Sequence, residues 1–223
     1  LAAVLIAFTG GMAAEGKVRR GPQAASVFLA VSALLLAARF PPPWEPLLMT
    51  AGVYKYASDI TDPTKEGLLA FAVEDYDLLF YDEGLSTVVT VAQSRLSGNI
   101  WLANNGKVDA STTVDMPTQV LVSHLPFLFA KDPREVVVVG LASGITLGSV
   151  TLYPELEEIQ VVELEPAIVQ ASHFFDDYNN RPLSDPRVTL HANDGRNHLL
   201  LAGPERYDVV VSEPSNPWIS GVS

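Results

Sequence analysis

Hydrophobic positions along this chain fall into three regimes. The first is continuous. "LAAVLIAFTGGMAA" opens the sequence as the end of an apolar helix, "EGKVRRGP" follows as a short basic loop, and "QAASVFLAVSALLLAARF" is a second apolar run closed by "PPPW". A membrane-spanning helix needs about 20 mostly apolar residues. Residues 21–40 just meet that length, and Trp44 sits where an interfacial aromatic belongs. A signal peptide and a buried core helix are the alternatives; an apolar run ahead of this one argues against the first. The expectation is a transmembrane helix pair with its basic loop over residues 1–45, then a linker over 46–65.

The second regime is a series of short β-rich runs, "LLAFAVE", "YDLLFY", "STVVTVAQ" and "NIWLAN". Asn105-Gly106 is a strong hairpin-turn signal. These runs predict a small antiparallel sheet over residues 66–112. "VDMPTQVLVSHLPFLFA" then reads as a helix with Asp115 as N-cap and Pro117 in its first turn.

The third regime alternates. "EVVVVG", "IQVVEL", "RVTLHAND" and "YDVVVSE" are strands; "SGITLGSVTLY", "PAIVQASHFFDDY" and "GRNHLLLA" between them are helical. Apolar strands separated by helices predict an α/β domain over residues 113–223, its parallel sheet covered on both faces. The chain opens on Leu1 and ends just past the fourth strand, so it reads as part of a longer protein.

Charge divides the same way. Residues 1–56 hold five basic side chains (Lys17, Arg19, Arg20, Arg39, Lys55) and two acidic ones (Glu15, Glu45), a net of +3 against −12 for the whole chain. The remainder is strongly acidic, which excludes nucleic acid as a partner and favours cations. The loop Lys17–Arg20 favours a cytoplasmic position. That conflicts with a single crossing that leads to a cytoplasmic α/β domain, and the chemistry favours the cytoplasmic domain. With no cysteine in the chain, disulfides and thiolate chemistry are excluded.

Ligands of open parallel sheets bind beyond the carboxyl ends of the strands. Gly140, Glu163, Asp194 and Glu213 fall there, one per strand. "VVGLASGITLG" places Gly140, Gly144 and Gly148 in a turn that lets a ligand approach the backbone, although it is not the G-x-G-x-x-G of dinucleotide sites. The same glycines also suit a tight strand–helix turn with no ligand. Glu163 lies where an acid commonly holds ribose hydroxyls. Glu165 suits the start of the helix opened by Pro166. Asp194-Gly195 reads either as an adenine contact or as an N-cap. His124, His173, His191 and His198 show no ligand spacing, and no metal is expected.

Taken together, these motifs resemble the spermidine/spermine synthase family, the polyamine aminopropyltransferases. The resemblance rests on "VVVVGLASGITL", "VVELEPAIV", "NDGRNHLL" and "YDVVVSEPSNPW", preceded by "NGKVDAS" and "TQVLVSHLPFLF". The apolar N-terminus resembles bacterial fused forms with a multi-helix membrane region, which implies a multi-pass membrane location. The resemblance implies a β-hairpin domain leading into a methyltransferase-like, Rossmann-type sheet. Its co-substrate would be decarboxylated S-adenosylmethionine, with no permanently bound cofactor, and a diamine such as putrescine would attack the aminopropyl carbon. Gly140, Ser143, Gly144, Glu163, Asp194 and Gly195 would bind the nucleoside, Glu213 would be catalytic, and Gln119, Asn216 and Asn105 would meet the amine. Partners would be a nucleoside, a polyamine and the membrane, with a homodimer left open.

Departures from the family pattern fall on the amine side. Ser143 replaces an acid of the glycine loop. Glu213 and Asn216 stand where the family has Asp, Thr118 replaces a Tyr, and Asn105 replaces the hairpin Asp. An S-adenosylmethionine-dependent methyltransferase, or a non-catalytic sensing domain of a membrane transporter, are the competing readings.

Overall fold

The computed structural model describes residues 27, 29–33, 45–84 and 86–212. The chain divides into two compact units, residues 1–44 and 45–223. In the first, residues 29–33 are helical. The second contains everything that positions the site.

It opens with short helices, α1 (Pro46–Met49), α2 (Val53–Tyr56) and α3 (Lys65–Leu69), the last running into a wider turn over Ala70–Glu74. "LLAFAVE" is therefore helical, not a strand. Thr64 explains the difference: its Oγ1 accepts from Gly67 N at 3.2 Å and caps the run, and Leu, Ala and Glu are good helix formers.

Four antiparallel strands follow in sequence order: β1 (Tyr76–Glu83), β2 (Val88–Ser94), β3 (Ile100–Asn104) and β4 (Lys107–Ser111). The β3–β4 turn is Asn105-Gly106, with φ of 49° and 81°. Both values are left-handed, as a two-residue hairpin turn requires. The predicted helix is α4 (Met116–His124), continued by a tighter turn over Leu125–Leu128.

A four-stranded parallel sheet then forms from β5 (Glu135–Val139), β6 (Glu158–Glu163), β7 (Val188–Ala192) and β8 (Val209–Ser212). α5 (Ile145–Val150), α6 (Pro166–Ser172) and α7 (Gly195–Ala202) connect them. The strand order is β7-β6-β5-β8. The chain steps outward from β5 to β7, then returns to the other side of β5. That reversal opens a crevice at the end of β5.

Val136, Val138, Ile159, Val161, Val209 and Val211 on one face of this sheet share a core with Leu147, Phe175 and the Val89, Val91 and Leu102 of the antiparallel sheet. The two sheets are thus packed into one unit. The expected two-sided cover is only partial among the described residues. On the far face His198 of α7 bonds to Gln160, whereas Val210 is 47% exposed.

The expected multi-pass membrane location is corrected. Among the described residues, no helix is long and apolar enough to cross a membrane. α4 has nine residues, roughly 14 Å at 1.5 Å each, against a hydrocarbon core of about 30 Å. The basic loop Lys17–Arg20 and most of the apolar run 21–40 lie outside the described residues.

Arg187, at the start of β7, closes the end of α5. Its guanidinium donates to the carbonyls of Thr151 (2.6 Å) and Tyr153 (2.7 Å) and pairs with Asp185 at 2.7 Å. The Arg187 hydrogen bonds hold the Asp185 carboxyl below its ordinary range, against the opposing effect of burial. A depressed carboxyl stabilises the fold above its unfolded pKa of about 4, and that contribution is lost as pH falls through the lowered value. Arg187→Met should lower the unfolding free energy by about 2–3 kcal/mol at neutral pH. The gap between variant and wild type should narrow below about pH 4, as urea denaturation across pH would show.

Candidate functional site

Beyond Val139, the last residue of β5, the chain runs through Gly140-Leu141-Ala142-Ser143-Gly144 into α5. Gly140, Ala142 and Gly144 all have positive φ, at 90°, 46° and 77°. This loop folds its backbone tightly around the strand end, and glycine makes that inexpensive at two of the three positions. Gly148, in α5, serves packing. A Cβ there would lie 1.7 Å from the carbonyl oxygen of Asn179.

Glu163, at the end of β6, braces the loop. Its Oε2 accepts from Leu141 N at 2.9 Å and its Oε1 from Glu165 N at 2.9 Å. One half-buried carboxylate therefore ties the ends of two adjacent strands together. Each oxygen keeps a second lone pair. The crevice thus presents a fixed anion able to accept from two neighbouring hydroxyls.

Behind the loop runs a line of buried polar groups. Gln119 of α4 is 2% exposed. Its Nε2 donates to the Ser111 carbonyl at 3.1 Å, and its Oε1 accepts from the Ser143 hydroxyl. Asn179 is equally buried. Its Nδ2 donates to the carbonyls of Ser143 (2.9 Å) and Ser172 (3.3 Å). Gln119, expected at the amine, thus lies inside the protein and joins the antiparallel sheet to the glycine loop. Asn179 is a site-shaping residue that sequence reasoning missed. The only signal was the turn-forming "NNRP", where Asn180 and Arg181 take φ of 59° and 49°.

Glu165 caps α6, its Oε1 accepting from Ala167 N at 3.4 Å. It does more than the sequence suggested. It is 4% exposed, and its Oε2 accepts from Ser86 N at 3.1 Å. The β1–β2 loop is thereby docked beside the site. Gly84 makes room: a Cβ on it would lie 2.3 Å from Glu165 Oε1.

Asp194 is the N-cap of α7, its Oδ1 accepting from Asn197 N at 2.7 Å. Its Oδ2 carries no hydrogen bond among the described residues, so the cap leaves one oxygen for a ligand. Gly195 lets α7 start against the end of β5, where an added Cβ would lie 2.5 Å from Val139 Cγ1. Asn105 sits on the β3–β4 turn, and its Oδ1 accepts from Val88 N at 2.9 Å. Asp115 holds the N-cap position of α4 but makes no capping bond; its Oδ2 accepts from Ser111 Oγ at 2.8 Å. Glu213 and Asn216 lie outside the described residues.

The rings of His191 and His198 are 4.7 Å apart. His198 Nε2 lies 3.0 Å from Gln160 Oε1 and 2.9 Å from Tyr207 Oη. Gln160 Oε1 can only accept, so the Nε2–H tautomer of His198 is the one that bonds to it. Burial, and then the neighbouring His191, hold the His198 pKa below its ordinary value. Among the described residues no group of three or more His, Asp or Glu could hold a metal ion.

Residues 116–221 match the family described as Spermine/spermidine synthase domain. Over 148 residues the chain is 30% identical to putrescine N-methyltransferase 2 of Nicotiana attenuata, covering 66% of this chain and 40% of that protein. Over 148 residues it is 26% identical to spermidine synthase of Dictyostelium discoideum, covering 66% and 51%. It thus spans about half the length, or less, of these curated relatives. The fold is similar, at TM-score 0.58 and 16% identity, to a spermidine synthase solved in complex with the transition-state analogue AdoDATO, covering 63% of this chain and 47% of that one. The resemblance drawn from the motifs is borne out, as is the parallel-sheet α/β fold.

The Gln119–Ser143 bond makes a sharp stability prediction. Gln119→Leu leaves the Ser143 hydroxyl without its acceptor and should cost about 1–3 kcal/mol in chemical denaturation. Adding Ser143→Ala should recover part of that loss, because removing both partners costs less than orphaning one.

Proposed function

We propose, taking the spermine/spermidine synthase domain over residues 116–221 as the premise, that the chain carries the nucleoside half of an aminopropyltransferase. Decarboxylated S-adenosylmethionine is the donor and a diamine such as putrescine the acceptor. The observation that carries this reading is Glu163. Its two braced oxygens lie at the crevice beside a backbone turn tight enough to admit a nucleoside. In this reading Glu163 accepts from the ribose diol, Asp194 Oδ2 accepts from the adenine amino group, and Gly140, Ser143, Gly144 and Gly195 keep the walls thin.

In the reaction an amine lone pair attacks the methylene carbon beside the sulfonium. A C–N bond forms, the C–S bond breaks with its electron pair going to sulfur, and methylthioadenosine leaves as a neutral thioether. The one proton released is that of the incoming ammonium, given up before attack; the secondary ammonium formed stays protonated at neutral pH. Alkyl amines have pKa near about 10.4, so the nucleophile arrives protonated. A carboxylate at the reaction centre would orient it and take up that proton. Ser212 pairs with Val139, so the chain leaves β8 level with the glycine loop, and Glu213 follows in sequence. We assign it that role, with Asn216 and Asn105 on the amine side. Gln119, buried as it is, acts by holding Ser143.

Two observations favour a second reading, methyl transfer from S-adenosylmethionine to a diamine. The match to a putrescine N-methyltransferase is at 30% identity, and the family's glycine-loop acid is here the neutral Ser143. Without that acid, the carboxylate of S-adenosylmethionine meets no like charge.

Mass spectrometry of the protein incubated with each nucleoside and a panel of diamines separates the readings, because the two products differ by an aminopropyl or a methyl increment. Aminopropyl transfer is expected. Glu163→Gln should weaken methylthioadenosine binding by roughly tenfold or more in calorimetry. Glu213→Gln should abolish turnover with little change in nucleoside affinity. Full transfer by Glu213→Gln would remove that residue from the mechanism.

A further inference from the structure

A cavity of about 350 Å³ lies against the face of the antiparallel sheet that carries Trp101. Trp101 and Val108 line it, while the alternate residues Ile100, Leu102 and Ala110 enter the shared core. The opening segment of the unit closes it through Leu47, Tyr56 and Phe71. Neither Glu163 nor any residue of the glycine loop is among its lining residues. The volume suits a small ligand.

Its chemistry is one-sided. Tyr56, Tyr76 and Trp101 supply aromatic surface, Asp59 and Asp115 supply carboxylates, and among the described residues no Lys, Arg or His lines it. The Tyr76 and Trp101 rings meet edge to face, 5.6 Å apart at 80°, and form a corner. Tyr56 is held in place by its hydroxyl, which accepts from Val108 N at 3.2 Å. Half-buried Asp115 is fixed through Oδ2 by Ser111 Oγ at 2.8 Å, and its Oδ1 carries no hydrogen bond among the described residues. An aromatic corner attracts a cation through its ring faces, and a half-buried carboxylate without a basic partner among the described residues favours the same charge.

We propose that this cavity is a binding site for a small organic ammonium ion, separate from the nucleoside crevice. The aromatic walls hold the alkyl groups and Asp115 balances the charge. Asp59, at the exposed mouth, draws the cation in.

Calorimetry of the wild-type chain with choline, n-butylammonium and 3,3-dimethylbutan-1-ol, the uncharged isostere of choline, tests this. No nucleoside is present and no turnover is read, so failure of the proposed transferase activity would leave the result intact, and the reverse holds too. Saturable binding of either ammonium at millimolar concentrations or below is expected. Choline without n-butylammonium would narrow the class to alkylated ammonium ions. The uncharged isostere, Asp115→Asn and Trp101→Leu should each weaken binding by about tenfold. Glu163→Gln should leave it unchanged. Circular dichroism would identify a variant that fails to fold, and the isostere needs no variant. Equal binding of the isostere, undiminished binding by folded Asp115→Asn, or no saturation with either ammonium would overturn the proposal.

Discussion

The site rests on a line of buried hydrogen bonds. It runs from the Ser111 carbonyl through Gln119 to Ser143, and from Ser143 through Asn179 to Ser172. These side chains are buried, and an unpaired polar group there is costly. Each link therefore constrains the next. The line joins three elements distant in sequence: the last antiparallel strand, the glycine loop and the end of α6. Gly148 must stay small because Asn179 passes so close to α5. The strained backbone at Ala142, with φ of 46°, is held from behind by this line and from the front by Glu163.

Carboxylates do the corresponding work at the strand ends. Glu163 and Glu165 are two residues apart and brace different partners. Glu163 ties the loop after β5 to the loop after β6. Glu165 ties the β1–β2 loop to the start of α6. Charged acceptors paired with backbone N–H groups make stronger hydrogen bonds than neutral pairs. The antiparallel sheet is therefore joined to the parallel one at the crevice as well as in the core.

The alternation of apolar strands and helices made the parallel sheet legible in advance, and Asn105-Gly106 fixed the hairpin. The strand-end acids were legible because topology dictates where ligands of open sheets bind. Other features were hidden for physical reasons. "LLAFAVE" carries no decisive periodicity, and its helix depends on the Thr64 cap. Asn179 is far from the glycine loop in sequence, and its role appears only when α6 folds back. Glu165 looked like a simple helix cap because its second partner, Ser86, lies 79 residues away. The apolar N-terminal runs satisfied a length rule for a membrane span that no helix among the described residues meets.

One replacement and one retained residue are linked in the fold. Ser143 stands where the family that the motifs resemble carries an acid, and Gln119 is kept. In the fold, Gln119 donates through Nε2 to the Ser111 carbonyl. That orients Oε1, which can only accept, towards position 143. The partner there must donate. A serine hydroxyl can, and an ionised carboxylate cannot. An acid at position 143 would set two acceptors against each other unless the amide turned over, and turning it would abandon the Ser111 carbonyl. The neutral glycine loop and the inward-facing Gln119 thus require each other. Whatever donor the crevice accepts meets a loop braced by the charge of Glu163, with Ser143 committed to holding the loop in shape.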